Sequence, residues 1–270
     1  MLKPITMTSK SCDIDMKSSR DAKDCGITGL AILPNNRILA VDFWNNAVKL
    51  ADSYNNKLIA ELNLLSSPWD VAVITVHLSA VTLPHEEKIL FIKVNDTLTQ
   101  EREINVDGEC RGVAFSHGRL FITYVGNPRL EIVDMFGQII RRIKFDRDGT
   151  KLFKSPRYVC VSSDAETIYV SDLTHGAVFS LSLDGVVKCV NMDKELRGLQ
   201  KVCSDQIGNI YVCGYGSRNV LKIARGSNNL VVIFTRADGL DRDVYSVSHC
   251  QDTGRLFVGM GDRIVKAYKL

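Results

Sequence analysis

The sequence has no long hydrophobic run, no export signal and no strong bias of charge. No apolar stretch approaches the ~18 residues that a membrane-spanning helix requires. The first residues, Met1 to Pro4, lack the apolar region of a secretory signal. The net charge is only +3, from 34 basic and 31 acidic residues among 270. We therefore expect a cytoplasmic protein without membrane contact, and the net charge does not decide between nucleic acid and protein as its partner.

The eight cysteines form no Cys-x-x-Cys pair, so the spacing typical of zinc sites and redox motifs is absent. Several lie in apolar, strand-like runs, such as Cys160 within Tyr158–Val161 and Cys213 after Tyr211. Free cysteine packs as a small buried apolar side chain. Without an export signal, we expect reduced thiols in the core rather than a disulfide framework.

Motifs that carry catalysis are also missing. There is no Gly-x-Ser-x-Gly, and the five histidines are scattered without ligand spacing. Asp146–Gly149 resembles the start of a calcium loop, but its twelfth position is Arg157 instead of the glutamate that such loops use. Gly214–Arg218 precedes no predicted helix, so it does not indicate a phosphate-binding loop. We therefore predict a domain that is not an enzyme and that binds no metal, cofactor or small-molecule substrate.

What the sequence does contain is a repeat of about 40 residues. Each unit reads as an apolar strand, a polar turn, a second apolar strand, a polar loop and a third strand, and five units add a fourth. The second strands begin at positions spaced by 40, 42, 48, 42 and 46 residues: Ile38, Leu78, Leu120, Ile168, Ile210 and Leu256. Short, evenly spaced, turn-bounded strands in four-stranded units predict an all-β fold, a six-bladed β-propeller with antiparallel blades.

The last unit ends after its third strand, at Leu270. The N-terminal stretch Ile5–Met16 is strand-like and precedes the first unit, so we predict that it supplies the missing outer strand and closes the ring. We predict one domain over 1–270, with the closing strand within 1–20. The predicted blades are 25–63, 67–106, 109–145, 155–190, 196–235 and 241–270.

Three segments resemble the NHL repeats that form the C-terminal propeller of many tripartite-motif (TRIM) proteins. They are 29–50, 155–161 and 168–178, and they include the second-strand aspartates Asp42 and Asp172. The resemblance implies the target-binding propeller of a ubiquitin-ligase-like protein. The Cys/His spacing and heptads of a RING, B-boxes and coiled coil do not occur in this sequence. The resemblance further implies either RNA-hairpin binding or protein docking.

Loops that lead into the innermost strands of a propeller converge on one mouth of its central channel. Aligning the repeats places Arg111, Arg157 and Arg242 at one position. Guanidinium groups offer a planar, bidentate donor fork that suits phosphate or carboxylate. The alternative is that each arginine pairs with an acidic residue of the next blade. The predicted mouth residues are Trp69, Arg111, Arg157, Tyr158, Lys201 and Arg242.

Loops between the second and third strands lie on the same face and carry further aromatic and basic residues. These aromatic and basic loop residues are Trp44, Tyr124, Arg129, His175, Tyr215, Arg218 and Arg263. Aromatic side chains stack on unpaired RNA bases, and arginine hydrogen-bonds them. The same residue types are enriched at protein interfaces. Trp44 has a second interpretation, as a residue packed between blades.

The densest basic segment is 141–157, with seven basic and two acidic residues. Besides Arg157 it contributes Arg141, Arg142, Lys144, Arg147, Lys151 and Lys154. Such a run at a blade crossing is either a solvated loop or a phosphate-binding patch. In the second case, binding weakens steeply with salt.

Together these features predict a recognition module that binds structured RNA, such as a hairpin, through a basic face containing aromatic residues. The alternative is a protein-docking propeller that selects ubiquitination substrates or scaffolds a complex. A third hypothesis is a calcium-dependent hydrolase of the six-bladed type, whose site holds a central cation with carboxylate and amide ligands. The inner strands of this sequence carry few carboxylates, which disfavours it.

Overall fold

The computed structural model describes residues 12–195 and 197–270. Within them the chain forms 24 strands and two short 3-10 helices, Pro84–Glu86 and Arg236–Asp238. No helix in this described part is long and apolar enough to span a membrane. The strands form six four-stranded antiparallel sheets, which we number as blades in chain order.

The blades contain the following strands. Blade 1 is β2 (Ile27–Leu33), β3 (Arg37–Asp42), β4 (Ala47–Asp52) and β5 (Lys57–Asn63); blade 2 is β6 (Val71–Thr75), β7 (Leu78–Leu83), β8 (Lys88–Val94) and β9 (Leu98–Asn105). Blade 3 is β10 (Cys110–Ser116), β11 (Arg119–Tyr124), β12 (Arg129–Asp134) and β13 (Ile139–Ile143); blade 4 is β14 (Pro156–Val161), β15 (Ile168–Asp172), β16 (Ala177–Leu181) and β17 (Val187–Met192). Blade 5 is β18 (Leu199–Ser204), β19 (Ile210–Gly214), β20 (Asn219–Ile223) and β21 (Leu230–Phe234); blade 6 is β22 (Val244–Cys250), β23 (Arg255–Met260), β24 (Ile264–Lys269) and β1 (Cys12–Asp15).

The blades close into a ring, because the innermost strands neighbour one another in the order β2, β6, β10, β14, β18, β22 and back to β2. Closure is completed by β1, which pairs with β24 so that Asp15 lies opposite Ile264. The predicted six-bladed propeller is confirmed, including the N-terminal strand that completes the last blade. Residues 1–11 of the predicted closing segment lie outside the described residues.

Each interface between adjacent blades has its own hydrophobic cluster. Between blades 1 and 2, Leu39 and Val41 share a cluster with Val81, and between blades 5 and 6 Tyr211 shares one with Val258. The middle strands are buried on both faces, so they read as continuous apolar runs. Since burying one such side chain contributes about 1.5–3 kcal/mol, face-to-face packing of blades holds the ring together.

The second-strand aspartates fasten the loops of the mouth face. Asp172 Oδ2 accepts hydrogen bonds from the backbone N–H groups of Lys154 (2.8 Å) and Ser155 (2.9 Å). Asp42 Oδ1 accepts one from the Gly26 N–H at 2.9 Å. In both blades the carboxylate ties the segment that leads into the innermost strand to the end of the second strand. These aspartates therefore have a structural role.

Candidate functional site: an arginine pair at the channel mouth

A β-bulge at the start of the innermost strand shapes the channel mouth. In five blades the register between the innermost and second strands shifts at this point. In blades 1, 4 and 6 the shift skips Thr28, Arg157 and Tyr245, respectively. In blades 3 and 5 it spans Arg111–Gly112 and Gln200–Lys201. Because a bulge re-aims the side chain of its extra residue, these positions form a ring around the mouth.

The strand register places Tyr245, rather than Arg242, at the position of Arg157. Arg242 is exposed in the loop before β22. Extra residues in that loop misled the sequence alignment. The sequence does contain a signal for the correct alignment, namely the small residue that follows the bulge in blades 3 and 6. At Gly112 of blade 3 there is no room for a side chain, because a Cβ would lie only 2.5 Å from the Tyr158 Cα of the next blade. Aligning Ser246 with Gly112 identifies Tyr245.

Below the mouth, two contacts between opposite blades cross the channel. Tyr158 of blade 4 donates a hydrogen bond to the Thr28 carbonyl of blade 1 at 2.9 Å. Lys201 of blade 5 forms an ion pair with Asp70 of blade 2, which also accepts from the Val113 N–H at 3.1 Å. Burial raises the pKa of Asp70, although Lys201 opposes the shift. Tyr158 and Lys201, two of the predicted mouth residues, are buried here as a plug beneath the mouth.

Above the plug, Trp69, Arg111 and Arg157 form a group that we call the mouth cluster. The guanidinium carbon of Arg111 lies 4.2 Å from the Trp69 ring centre, and that of Arg157 lies 5.6 Å from it. Phe43 meets the same ring edge-on, with the centroids 5.4 Å apart. Cation–π contacts of this kind contribute about 0.5–2 kcal/mol. The structure thus brings together predicted residues from blades 2, 3 and 4.

The mouth cluster is short of negative charge and of hydrogen-bond acceptors. Glu109 forms an ion pair with Arg111, but no carboxylate among the described residues lies within 4.0 Å of the Arg157 guanidinium. The buried Nε atoms of both arginines and Nε1 of Trp69 have no hydrogen-bond partner. Burial, and then repulsion by Arg111, lowers the pKa of Arg157. Since unpartnered buried donors are destabilising, the cluster is suited to receiving an anion.

An aromatic arc continues around the mouth, which we define as Trp44, Tyr245 and Tyr215. Trp44 meets Tyr245 edge-on with centroids 6.4 Å apart, and Tyr245 meets Tyr215 at 5.2 Å. Trp44 and Tyr215 remain 37% and 38% exposed. Trp44 also lies against Gly26, whose added Cβ would come within 2.8 Å of the indole. The interpretation of Trp44 as a residue packed between blades is thus confirmed, whereas its contact with a ligand stays a prediction that its exposed aromatic surface allows.

Three further predicted residues are paired with carboxylates. They are Arg218 with Asp243 (3.0 Å), Arg263 with Asp15 (3.3 Å) and His175 with Asp172 (3.4 Å). The two arginine pairs are partly exposed, and such pairs contribute about 0–1 kcal/mol. These arginines can therefore exchange partners at little cost.

Tyr124 and Arg129, also predicted to contact a ligand, lie in the interior instead. Arg129 is 2% exposed, and its guanidinium carbon lies 3.8 Å from the Tyr124 ring centre. Its Nε donates to Glu131 at 2.8 Å, and Arg142 Nε donates to the same oxygen at 2.6 Å. Burial acts to raise the pKa of Glu131, but the hydrogen bonds from both arginines outweigh burial and hold the pKa below its usual value. We call these four residues the blade 3 cluster.

The basic segment 141–157 runs from the rim of the propeller to its mouth. Arg141 and Arg142 on β13 pair with Asp184 (3.0 Å) and Glu131 (2.6 Å). Lys144 is half-buried beside the Phe145 ring. Three members are exposed and form no ion pair with any described residue: Arg147, Lys151 and Lys154. The segment thus begins with paired cations on β13 and continues with unpaired ones that are closer to Arg157 in the sequence.

One group of side chains has the spacing of a metal site. Asp21, Cys25 and Asp42 each place a ligand atom within 4.8 Å of the others. The Lys49 ammonium lies among them, 2.7 Å from Asp21, 2.8 Å from Asp42 and 3.4 Å from the Cys25 sulfur. The Lys49 ammonium thus occupies the position that a metal ion would take. The buried network of these four side chains ties the segment before β2 to β4.

Comparisons with known proteins support the fold. No family model and no curated protein matches the sequence. A Bacteroides thetaiotaomicron protein of unknown function is similar in structure, with a TM-score of 0.74, 14% identity and coverage of 96% of this chain and 72% of that chain. Virginiamycin B lyase from Staphylococcus aureus has a TM-score of 0.67, 11% identity and coverage of 97% and 99%. Hydrazine synthase from Kuenenia stuttgartiensis has a TM-score of 0.65, 16% identity and coverage of 90% and 76%.

These comparisons correct one prediction. We predicted that the domain is not an enzyme, and this is wrong, because the similar propellers include a lyase and a synthase. At such low identities the likeness shows the fold alone. The propeller expected from the NHL resemblance is present, whereas no family model matches the narrower NHL or TRIM assignment.

Proposed function

We propose that the mouth face of this propeller recognises structured RNA. The mouth cluster holds a backbone phosphate, and the aromatic arc stacks on unpaired bases. The observation that carries the proposal is the unbalanced charge of the cluster, in which Arg111 has one carboxylate partner, Arg157 has none among the described residues, and both keep unpartnered Nε donors. A phosphate supplies the missing negative charge, and arginine binds it in a bidentate manner.

The surroundings of the mouth cluster favour RNA over an isolated anion. Trp44 and Tyr215 offer exposed aromatic surface, and stacking contributes about 1–3 kcal/mol per base. Lys154, an exposed cation of the segment 141–157, lies on the mouth face, where its backbone N–H donates to Asp172, and it suits a further phosphate. The plug crosses the channel beneath the cluster, so the ligand contacts the cluster from the mouth side.

The test is a selection from randomised RNA hairpins at ~50 and ~200 mM salt. We expect particular hairpins to be enriched at both salt concentrations. Arg157→Gln should remove this enrichment, whereas Arg141→Gln, a matched substitution of an exposed arginine on the rim, should keep it. Unselective binding that higher salt removes, or equal effects of the two substitutions, contradicts the proposal and directs the search to protein partners.

A further inference from the structure

The outer strands of the six blades fall into two groups. Those of blades 6, 1 and 2 carry acidic residues: Asp13 and Asp15 on β1, Glu61 on β5, and Glu101 and Glu103 on β9. Those of blades 3, 4 and 5 carry none, and read Ile-Ile-Arg-Arg-Ile, Val-Lys-Cys-Val-Asn-Met and Leu-Val-Val-Ile-Phe. Charges on outer strands commonly prevent pairing with another chain. Half of the rim therefore lacks acidic groups on its outer strands.

Blade 4 combines an acid-free outer strand with an unpaired edge. β17 pairs with β16 on one side, and no other strand within 12–195 and 197–270 pairs with its outer edge. Val190 and Met192 are 43% and 63% exposed on this strand. An unpaired edge presents N–H and C=O groups that an added strand can satisfy.

A cleft of about 520 Å³ borders β17 on the side of blade 3, and we call it cleft A. Its larger apolar lining residues are Leu152, Phe179, Val186, Val187 and Val190. Its charged lining residues are Asp146, Arg147, Asp148 and Lys151, whose charges cancel. Cleft A thus has no net charge among its Asp, Lys and Arg residues and offers apolar surface beside β17, so it suits an apolar side chain.

A cleft of about 350 Å³ borders β17 on the side of blade 5, and we call it cleft B. Its lining includes Lys188 and Arg225 and contains no Asp or Glu. Lys188 Nζ donates to the Glu166 carbonyl and the Thr167 hydroxyl, both at 2.9 Å. Neither cation has a carboxylate within 4.0 Å among the described residues. Cleft B is therefore cationic and suits an acidic side chain.

We infer that β17 is the docking edge for an extended acidic peptide of a partner protein. The main chain of the peptide pairs with β17 as a fifth strand of blade 4. Because successive side chains of a strand point to opposite faces, alternate residues enter cleft A and cleft B. Apolar residues occupy cleft A, and Asp or Glu residues meet Lys188 and Arg225 in cleft B. In strand addition, main-chain hydrogen bonds give affinity and such pockets give specificity.

The charge of the edge distinguishes this occupant from a second copy of the chain. A second β17 strand would add another Lys188 to this edge and no acidic residue to offset it. Like charges across a strand pair are destabilising. An acidic peptide has the complementary charge. Cleft A includes Arg147 and Lys151 of the basic segment. The docking edge shares no residue with the mouth cluster or the aromatic arc, so the inference is independent of RNA recognition by those two groups.

The test uses fluorescein-labelled peptides of four Val-Asp repeats and, as a control, four Val-Lys repeats. Fluorescence anisotropy should show that the acidic peptide binds at least ~10-fold more tightly. Two methylated forms of the acidic peptide carry N-methyl groups on all Val or on all Asp residues; only one of these sets of N–H groups faces β17, so one form should lose binding more strongly than the other. Equal affinities for the acidic and basic peptides, or unchanged affinity in both methylated forms, overturn the inference.

Two further measurements locate the binding. The double substitution Val190→Glu with Met192→Glu should weaken acidic-peptide binding at least ~10-fold, whereas the matched pair Val231→Glu with Val232→Glu on β21 should change it less than ~2-fold. In the unsubstituted protein, the peptide should slow amide hydrogen exchange in 187–192. Equal losses in both double variants, unchanged exchange in 187–192, or dimerisation through this edge contradict the inference.

Discussion

Two arginine–aromatic clusters of this propeller contrast with each other. In the blade 3 cluster, two guanidinium groups share Glu131, which is 1% exposed, at 2.8 and 2.6 Å. In the mouth cluster, Arg111 has the partly exposed Glu109 as its partner, and Arg157 has no carboxylate partner among the described residues. Each cluster stacks a guanidinium on an aromatic ring, Tyr124 or Trp69. Both guanidinium groups of the blade 3 cluster therefore have a close carboxylate partner, whereas only one of the two in the mouth cluster has one.

The contrast separates a structural arginine from a ligand-binding one. When a buried, hydrogen-bonded ion pair loses one partner, the other remains as an uncompensated charge, and the fold is weakened. An arginine with unpartnered donors instead destabilises the free protein and regains hydrogen bonds when an anion binds. Burial alone does not distinguish a structural arginine from a ligand-binding one. The number of hydrogen-bond acceptors around the guanidinium group does. Four predictions test this difference, beginning with the largest effect.

Glu131→Gln should destabilise the protein by about 3–5 kcal/mol, because it removes the buried charge that pairs closely with two guanidinium groups in the blade 3 cluster. Asp107 lies 3.8 Å from both groups but is mostly exposed, so it compensates them weakly. Glu109→Gln should cost less than about 1 kcal/mol, since that ion pair is partly exposed. Urea unfolding followed by fluorescence measures both changes. Similar losses for the two variants would show that the clusters do not differ in the way described.

Arg157→Gln should weaken binding of a selected RNA hairpin about 10-fold, because hydrogen bonds to a charged group contribute about 1.5–3 kcal/mol. The free energy of unfolding should change by less than about 1 kcal/mol, since relief of repulsion by Arg111 and removal of an unpartnered Nε donor offset the loss of the contact with Trp69. Anisotropy with labelled hairpin and urea unfolding give the two values. A variant that loses stability but keeps affinity would assign Arg157 to the structure instead.

Glu109→Gln should strengthen hairpin binding about 2- to 3-fold, because it frees Arg111 for the phosphate and removes a nearby negative charge. This expected gain in affinity sharpens the comparison between the two clusters. Removing the carboxylate of the blade 3 cluster destabilises the fold, whereas removing the carboxylate of the mouth cluster strengthens RNA binding. The measurement is the same anisotropy titration. Weaker binding in this variant would mean that Glu109 orients Arg111 for its ligand.

The smallest effect concerns pH. The pKa of Glu131 is lowered in the folded protein relative to its ordinary value of 4.5, so its contribution to stability is present above that pH and is lost as the pH falls through the folded-state value. The free energy of unfolding should therefore decrease between about pH 5 and pH 3, and it should decrease less in Glu131→Gln. Urea unfolding across this range measures the slope. Identical slopes in both proteins would contradict the pairing.

The fold was predictable because its signal is local. Apolar strands recur about every 40 residues, as Ile38, Ile168 and Ile210 illustrate, and the short last unit points to an N-terminal closing strand. Part of the blade 3 cluster was equally local. Arg129 and Glu131 lie two apart on β12, hence on one face of the strand, so their pairing could have been foreseen.

Contacts between distant residues were not predictable in the same way. The plug joins Asp70 to Lys201, 131 residues away. Only closure of the ring places the innermost strands of opposite blades across the channel from each other. Tyr245 was missed because insertions before β22 obscured the bulge that aligns it with Arg157. The pairing of each arginine depends on which carboxylates neighbouring blades supply, and sequence spacing does not record that.

The salt dependence of hairpin affinity tests the central claim most directly. Each phosphate that a cation neutralises contributes about 0.7–0.9 to the slope of log K against log salt. We predict that Arg157→Gln reduces this slope by about that amount, whereas Arg142→Gln, in the satisfied blade 3 cluster, leaves it unchanged. Equal slopes for the unsubstituted protein and both variants would show that Arg157 does not bind a phosphate, and the open mouth cluster would then lose its proposed role.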